Sequence, residues 1–270
     1  MTKKIIAVDL DGTLLNSESK LSDFTKETIK KISEKGHHVI ITTGRPYRMA
    51  KDFYRELELH TPMINFNGSL THLPGQAWEH EKCLTLDKKY LLDMVKRTED
   101  IQADFIAGEY RKKFYITTPN EEIADPKLFG VENFRPENQF KPERVTKDPN
   151  CILLQTRAED KYALANEMNR FYQHQLAINT WGGPLNILEC TPKGVNKAFA
   201  LEYLLNVMNR DKKDLIAFGD EHNDTEMLAF AGKGYAMKNA NPALLPYADE
   251  QISLTNDQDG VAKTLRALFL

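Results

Sequence analysis

The sequence has little cysteine and no long hydrophobic run. Its three cysteines, Cys83, Cys151 and Cys190, are scattered and odd in number, so they predict no disulfide framework and fit a reducing cytoplasm. No run of about 18 apolar residues is present, which argues against a membrane span. The apolar run near the start of the chain ends at Asp9, too early for a secretory signal. We therefore expect a cytoplasmic protein that does not bind a membrane.

An excess of charge of one sign and the common nucleotide-binding motifs are also missing. Lysine and arginine number 36 against 39 acidic residues, a net charge of −3, which gives no basic surface for nucleic acid. The sequence contains neither G-x-x-x-x-G-K-[ST] nor G-x-G-x-x-G, so a P-loop or a dinucleotide site has no support. What remains is a globular protein whose expected partner is a small molecule.

Both ends of the chain alternate between apolar strands and helices. Strands are predicted at 4–9, 38–43 and 63–68, with helices between them, and the same alternation returns from Thr191 onward. An unbroken apolar strand such as 38–43 is typical of a parallel sheet that is covered on both faces. This pattern predicts an α/β fold with a doubly wound, mostly parallel sheet.

The middle of the chain differs, because its segments are shorter and proline is frequent. It predicts a separate α+β unit with helices at 87–98 and 160–171 and several short strands. We therefore predict a core made of residues 1–83 and 191–270 that carries an inserted cap domain at 84–190.

Asp9 and Asp11 follow the first predicted strand, in the stretch AVDLDGTLLN. Residues i and i+2 of an extended chain point the same way, so both carboxylates can reach one point beyond the strand end, where open α/β sheets bind ligands. Two carboxylates that repel each other become stable together when a cation lies between them. The alternatives are a solvated turn and a calcium loop, and the calcium loop fails because Leu14 stands where it requires glycine.

Three more stretches place polar groups at predicted strand ends or helix starts. In TTGRP the Thr43 hydroxyl and nearby N–H groups can bind an anion, although an ordinary helix cap also fits. Lys197 lies in the first turn of a predicted apolar helix at 195–208, where the helix dipole disfavours a cation, and this suggests a site, although a solvated lysine also fits. In IAFGDEHND, Asp220 can supply a further metal ligand, and Asn223 and Asp224 open the next helix. Together these groups suit Mg²⁺ and a phosphoryl group.

The four stretches resemble the motifs of the haloacid dehalogenase superfamily of phosphotransferases. The likeness rests on DxDGT at 9–13, the threonine of TTGR at Thr43, the lysine of GVNK at Lys197 and GDxxND at 220–224. The strings TTGRP, GVNKAFAL and NDQDGVA are similar to the Cof-type subfamily, which includes sugar-phosphate phosphatases. The resemblance implies that 84–190 is a C2 cap and that the chain is a magnesium-dependent phosphatase of small phosphorylated metabolites.

The resemblance also implies a role for each motif. Asp9 attacks phosphorus and forms an aspartyl-phosphate, while Asp11 protonates the leaving oxygen and then deprotonates water. The residues expected to contact the phosphoryl group are Leu10, Thr43, Gly44, Arg45, Lys197 and Asn223. The residues expected to hold the magnesium ion are Asp9, Asp11 through its backbone carbonyl, Asp220, Glu221 and Asp224.

Substrate choice is predicted to lie outside these motifs, because they contact only the phosphoryl group and the metal. The cap loop NTWGGP at 179–184 is expected near the mouth of the site, with Trp181 stacking on a sugar or ring face and Gly182 letting the backbone approach closely. Arg45 and Tyr47 are expected at the same opening. The alternative for Trp181 is a plain place in the cap core.

Three other functions compete with this hypothesis. A phosphomutase has the same core and would return the phosphoryl group to a sugar instead of water. A phospho-acceptor signalling or ligand-binding module also uses aspartate and Mg²⁺, but Asp11 and the inserted cap argue against it. Cys151 and Arg157 have the C-x5-R spacing of cysteine phosphatases, but the apolar residues between them cannot easily form a phosphate loop. The substrate stays open, and both a monomer and a homodimer are compatible with the sequence.

Overall fold

The computed structural model describes residues 3–182 and 185–270 as an alternation of strands and helices. In chain order the strands are β1 (Ile5–Val8), β2 (His38–Ile41), β3 (Met63–Asn65), β4 (Leu70–His72), β5 (Lys82–Cys83), β6 (Ala103–Tyr110), β7 (Lys113–Ile116), β8 (Cys151–Thr156), β9 (Leu176–Thr180), β10 (Ile187–Pro192), β11 (Leu215–Gly219), β12 (Lys233–Ala236) and β13 (Glu250–Gln251). The helices are α1 (Asp23–Glu34), α2 (Tyr47–Glu56), α3 (Lys88–Lys96), α4 (Lys161–Phe171), α5 (Lys197–Val207), α6 (Thr225–Phe230) and α7 (Gly260–Phe269). Among the residues so described, no helix combines the length and the hydropathy of a membrane span.

The chain divides into two compact units. The first unit comprises the residues up to Arg45 together with Ala50–Lys82 and Asn196–Leu270. The second unit comprises Cys83–Val195 and also Pro46–Met49, the start of α2. The assignment of residues 1–83 and 191–270 as a catalytic core and of 84–190 as a cap domain stays a prediction.

The first unit contains a parallel sheet. Its strand order within the described residues is β13-β12-β11-β1-β2. Strand β1 pairs with β11 in the register Ile5–Leu215 and with β2 in the register Ile5–His38. All residues of β1 are fully buried, as expected for a parallel strand that is covered on both faces. Two pairs of helices, α1 with α7 and α5 with α6, pack together in this unit.

The second unit contains an antiparallel sheet, whose order in the described part of the chain is β7-β6-β8-β10-β9. Helix α3 packs against β6, and α4 packs against β9 and β10. The apolar core of this unit includes Leu91, Ile106, Ile152 and Leu188. A parallel α/β unit that is interrupted by an antiparallel α+β unit confirms the predicted fold class.

The stretch MINFNG departs from its prediction as one strand. Strand β3 ends at Asn65, and Phe66–Gly68 form a turn with left-handed backbone. The asparagine–glycine pair is a turn signal that outweighs the apolar run before it. The chain then returns as β4, a strand that the sequence pattern does not predict, and pairs antiparallel with β3.

Candidate active site

Asp9 and Asp220 lie at the carboxyl ends of two adjacent parallel strands. Asp9 follows β1, and its N–H donates to the carbonyl oxygen of Phe218 at 3.1 Å, which continues the pairing with β11. Asp220 directly follows Gly219, the last residue of β11. Because parallel strands end at the same edge of a sheet, the sheet itself brings the two carboxylates together.

Lys197 reaches these acids from the start of a helix. It is the first residue of α5, and its side chain is fully buried. Its Nζ donates to Oδ1 of Asp9 and to Oδ1 of Asp224, each at 2.6 Å. Burial alone lowers the pKa of Lys197, but the charges of Asp224 and Asp9 outweigh it and raise the pKa above its ordinary value. The lysine therefore stays protonated.

Two residues of the loop after β1 determine the position of the Asp220 side chain: Thr13 donates a hydrogen bond to it, and Gly12 leaves room for it. The Thr13 hydroxyl donates to Oδ1 of Asp220 at 2.7 Å, across 207 positions of the sequence. Gly12 has a φ of 70°, and a Cβ at this position would lie 2.1 Å from Oδ2 of Asp220. Only glycine therefore combines this backbone conformation with such a close approach.

Asp9, Asp220 and Asp224 form a group of oxygen donors, of which Asp9 and Asp224 are buried and Asp220 is partly buried. Each offers a carboxylate oxygen, and these oxygens lie within 4.8 Å of one another. Burial, reinforced by the neighbouring acids, raises the pKa of Asp9 well above its usual range despite the charge of Lys197. Burial also raises the pKa of Asp220 to about 7, against the hydrogen bond from Thr13. Three carboxylates face one ammonium group, and hard oxygen donors with an excess of negative charge fit a divalent cation such as Mg²⁺.

Asp11 and Glu221, the other predicted metal ligands, have different partners. The Arg45 guanidinium pairs with the Asp11 carboxylate, with Nε donating to Oδ2 at 2.7 Å. Glu221 accepts hydrogen bonds from the N–H of His222 and from the Asn241 amide, each at 2.8 Å. Among the residues that the structure describes, neither carboxylate belongs to the group of Asp9, Asp220 and Asp224. Their roles as ligands stay predictions.

The Thr43 loop connects β2 to α2. Thr43 is buried, and its hydroxyl accepts the N–H of Arg45 at 3.1 Å. A Cβ at Gly44 would lie 3.2 Å from the Asn67 side chain, so glycine leaves room for that contact. Leu10 is fully buried, which leaves its backbone as the part that can face a ligand. The predicted binding of a phosphoryl group by Leu10, Thr43, Gly44 and Arg45 stays a prediction.

Asn223 and Asp224 lie in the turn before α6. One oxygen of Asp224, Oδ2, accepts the N–H groups of Asp220 and Glu221 at 3.0 and 3.2 Å, so Asp224 fixes the loop after β11. The Asn223 amide donates from Nδ2 to Oδ1 of Asn67 at 3.0 Å. The binding of a phosphoryl group by Asn223 stays a prediction.

Thr13 and Asn67 hold parts of this site, although neither is among the site residues predicted from the sequence. Thr13 belongs to the DGT stretch, but no local pattern indicates its partner, Asp220. Asn67 belongs to an asparagine–glycine pair, which signals a turn but does not reveal what the turn contacts. A search of the sequence for catalytic or ligand-binding residue types therefore misses side chains that act by supporting the site.

The residues predicted to select the substrate lie in the second unit. Trp181 follows β9, and its indole N–H donates to Oε2 of Glu189 at 2.9 Å. Its carbonyl oxygen accepts a hydrogen bond from Nζ of Lys161 at 2.8 Å. Gly182 lies in a bend, and the next positions of the predicted loop, 183–184, are outside the described residues. Contact of Trp181 and Gly182 with substrate stays a prediction.

Two further predictions concern the second unit. Tyr47 begins α2, and the Lys112 ammonium lies 5.5 Å from the centre of its ring. The place of Tyr47 at the opening of the site stays a prediction.

Cys151 is buried in β8, and burial raises the pKa of its thiol well above the ordinary value, which disfavours a nucleophilic thiolate. Arg157 pairs with Asp104 at 3.1 Å. The C-x5-R stretch is thus a strand rather than a phosphate loop.

A parallel sheet that ends in buried carboxylates, beside a lysine at the start of a helix, is typical of α/β enzymes that act on phosphoryl groups. A sequence model of the haloacid dehalogenase-like hydrolases matches residues 6–265. The chain therefore belongs to the haloacid dehalogenase-like hydrolase family.

Several similar proteins of this family are phosphatases. The chain is 33% identical over 270 residues to 5-amino-6-(5-phospho-D-ribitylamino)uracil phosphatase YitU of Bacillus subtilis (strain 168), with 98% of this chain and 97% of the relative covered. It is 30% identical over 263 residues to 5-amino-6-(5-phospho-D-ribitylamino)uracil phosphatase YcsE of the same organism, with 97% and 94% covered. The crystal structure of a haloacid dehalogenase-like hydrolase from Bacteroides thetaiotaomicron matches with a TM-score of 0.86 at 26% identity, covering 99% of this chain and 100% of the other. The chain is a phosphatase of this family, a hydrolase of phosphoric monoesters.

Proposed function

We propose that the chain hydrolyses phosphate monoesters of small metabolites, sugar phosphates or similar compounds, through an aspartyl-phosphate on Asp9. The observation that carries this proposal is the contact of the fully buried Lys197 with both Asp9 and Asp224, each at 2.6 Å. The ammonium group of Lys197 opposes the rise in the pKa of Asp9 that burial causes, and it fixes the direction of the carboxylate. A nucleophilic carboxylate needs both effects.

Asp9 and Asp11 share the two chemical steps. In the first step an oxygen of Asp9 attacks phosphorus, the bond from phosphorus to the ester oxygen breaks, and Asp11 gives its proton to that leaving oxygen. In the second step water attacks the phosphorus of the aspartyl-phosphate, the bond from phosphorus to the Asp9 oxygen breaks, Asp11 takes a proton from that water, and inorganic phosphate leaves. Asp9 is then a free carboxylate and Asp11 is protonated again, as before the first step.

Arg45 controls when Asp11 can act. The Asp11 side chain is 53% exposed and pairs with Arg45, so it stands apart from the buried acids. Both oxygens of the Asp11 carboxylate accept hydrogen bonds from Arg45, whereas the first step needs one of these oxygens in contact with the leaving oxygen of the substrate. Arg45 must therefore release Asp11 when a substrate binds, and the freed guanidinium can then contact the phosphoryl group.

Asp9, Asp220 and Asp224 would hold the divalent cation. When bound, Mg²⁺ offsets the negative charge of the carboxylates, so that an anionic phosphoryl group can approach. Lys197 fixes one oxygen of Asp9, and Thr13 fixes one oxygen of Asp220, which orients these ligands in advance.

Thr43, Lys197 and Asn223 would bind the phosphoryl oxygens. Each of them carries a donor: a hydroxyl, an ammonium group and an amide. Donors that are already in place where negative charge develops stabilise the transition state without having to reorganise. Asn223 is held in this way by its hydrogen bond to Asn67.

The identity of the leaving group is proposed from the relatives. Two of them, at 33% and 30% identity, are named as phosphatases of 5-amino-6-(5-phospho-D-ribitylamino)uracil, whose phosphate is carried on a ribityl chain. We therefore infer that a phosphorylated polyol or sugar is the substrate class of this chain.

The test is release of inorganic phosphate from a panel of phosphate monoesters by the purified chain with Mg²⁺. The panel contains sugar phosphates, polyol phosphates, the ribitylaminouracil phosphate and p-nitrophenyl phosphate. Acid quenching during turnover, followed by mass analysis, should find one phosphoryl group on the peptide that contains Asp9, and Asp11→Asn should form this adduct only slowly. Transfer to a sugar hydroxyl without release of phosphate would favour a phosphomutase, and an adduct on another residue would contradict the proposal.

A further inference from the structure

The turn Phe66–Gly68 has an unusual backbone. Its residues Phe66, Asn67 and Gly68 have φ values of 51°, 50° and 110°. Left-handed backbone is uncommon for residues other than glycine and least favourable for bulky ones such as phenylalanine. Such conformations persist only where the surrounding structure over-determines them, and they concentrate at functional sites.

Asn67 contacts two of the elements proposed to bind the phosphoryl group. Its backbone N–H donates to the carbonyl oxygen of Thr43 at 3.1 Å. Its side-chain oxygen Oδ1 accepts the hydrogen bond from Nδ2 of Asn223 at 3.0 Å. Gly44 has no Cβ to exclude the Asn67 side chain from this place, 3.2 Å away.

The same turn abuts the helix that carries Lys197. A Cβ at Gly68 would lie 2.3 Å from the carbonyl oxygen of Asn196. Asn196 caps α5, since its side chain accepts the N–H of Phe199 at 2.9 Å. The absence of a side chain at Gly68 therefore lets the turn and the start of α5 approach to contact distance.

Two buried polar residues support the turn from behind. Asn65 is fully buried, and its amide Nδ2 donates to the carbonyl oxygen of Arg45 at 2.9 Å. Its Oδ1 lies 2.9 Å from Nε2 of His72, which is also buried. Because buried polar groups are costly to leave without partners, this pair makes other placements of the turn unfavourable.

We propose that Asn67 is a positioning residue that aligns Asn223 and the Thr43 loop for the phosphoryl group. The proposal rests on the proposed function, which assigns these two elements to phosphate binding. An amide such as Asn223 can turn either its oxygen or its nitrogen toward a ligand, and an oxygen would repel a phosphoryl oxygen. Because Oδ1 of Asn67 accepts from Nδ2 of Asn223, it keeps the nitrogen end, with its second hydrogen, available as a donor.

The test compares Asn67→Gly with Asn209→Gly. Glycine tolerates the left-handed backbone, so the first variant removes the side chain without forcing the turn to change. Asn209 is a matched control, because it also has left-handed backbone (φ 51°) but follows the far end of α5. For each variant we would measure kcat, KM, the inhibition constant of inorganic phosphate and the thermal unfolding midpoint. Asn67→Gly is also combined with Asn223→Ala in a double-mutant cycle.

Asn67→Gly should lower kcat/KM about tenfold and weaken inhibition by phosphate, because the donor loses its alignment. Asn209→Gly should stay within about twofold of the wild type, and both variants should unfold within a few degrees of it. In the Asn223→Ala background, Asn67→Gly should add little, since the two residues act together.

Three outcomes in Asn67→Gly would overturn the proposal. Asn67→Gly with wild-type kinetics would do so, as would a loss of the same size in both backgrounds, or a lower unfolding midpoint with unchanged inhibition by phosphate. Asn223→Ala with wild-type kinetics would instead contradict the proposed role of Asn223 itself, and the positioning proposal would fall with it. Loss of activity in Asn223→Ala but not in Asn67→Gly removes the positioning role alone.

Discussion

Both units bury acidic side chains, but they balance the charge differently. In the first unit Asp9, Asp220 and Asp224 lie together, and Lys197 is the cation that contacts two of them. In the second unit Glu109 is buried and pairs with a cation of its own. Nη1 of Arg48 donates to Oε2 of Glu109 at 2.7 Å.

This difference in charge balance distinguishes a buried acid that serves the fold from buried acids that serve a function. A buried acid with its own arginine can be explained by folding, because the guanidinium supplies the opposite charge and a hydrogen bond. Three acids around one ammonium group are unfavourable for folding unless a further cation completes them. Proteins break such local rules mainly at functional sites. The balance of charge, rather than burial alone, therefore marks the first cluster as the candidate active site.

The largest effect is expected for Asp9→Asn. Turnover should fall by a factor of about 10⁴ or more, the scale of removing a nucleophile. Folding stability should stay the same or rise, because one of three crowded charges is removed. The control Asp23→Asn changes an exposed carboxylate (99% exposed) at the start of α1 and should leave turnover unchanged. A wild-type rate in Asp9→Asn would refute the assigned nucleophile.

Removal of divalent cations tests the excess of negative charge directly. EDTA should stop phosphate release, and Mg²⁺ should restore it. Ca²⁺ should be a poor substitute, because it prefers more ligands at longer distances than this small carboxylate group offers. Mg²⁺ at a hundredfold excess over its Kd should raise the free energy of unfolding of the wild type by about 2.7 kcal/mol, which is measured as a higher thermal unfolding midpoint. The increase should be smaller in Asp220→Asn. Full activity in metal-free buffer would contradict the proposed site.

Glu109→Gln should lower the stability of the protein and leave turnover nearly unchanged, whereas Asp9→Asn should lower turnover and leave stability unchanged or higher. It leaves the buried guanidinium of Arg48 without its counter-charge, so we expect a loss of about 3 kcal/mol in the free energy of unfolding. Turnover of p-nitrophenyl phosphate by the folded protein should change little. Glu99→Gln is the matched control, because that side chain is 92% exposed, and it should be nearly neutral in urea unfolding. Equal stabilities of the two variants would remove the contrast between the units.

Local patterns predict the parts of this molecule that depend on neighbouring residues. The apolar run before Asp9 predicts β1, the run before Asp220 predicts β11, and parallel strands end at one edge. Helical periodicity in the same way predicts an apolar helix with Lys197 in its first turn, and α5 begins at Lys197. The fold class and the meeting of these three side chains were therefore within reach of the sequence.

Contacts between distant residues could not be predicted in this way. The pair of Thr13 with Asp220 and the pair of Arg48 with Glu109 depend on tertiary packing, which no local pattern encodes. Asn67 shows a second cause, because the apolar run of MINFNG favours a strand while its last residues favour a turn. Where two local signals conflict, packing against other elements decides.

A smaller effect is expected for Trp181→Ala. If Trp181 contacts the leaving group, kcat/KM should fall unequally across the substrate panel, by a difference of about 1–3 kcal/mol, and least for p-nitrophenyl phosphate. Trp78→Ala is the control, because it removes the other of the two tryptophans, and it should affect all substrates alike. A common factor for all substrates, or a loss of stability alone, would assign Trp181 to packing and to its hydrogen bond with Glu189.

The smallest effect is expected for Cys151→Ser, which tests whether the second unit holds any reactive group. The thiol of Cys151 is buried and hydrogen-bonded to Glu189, and burial together with the charges of Glu189 and Glu109 raises its pKa. A neutral thiol in this place is a poor nucleophile, and a serine hydroxyl can keep the hydrogen bond to Glu189. Turnover should therefore stay within about twofold and stability within about 1 kcal/mol of the wild type. Loss of turnover at normal stability would revive the cysteine phosphatase hypothesis and would make the second unit the place of the chemistry.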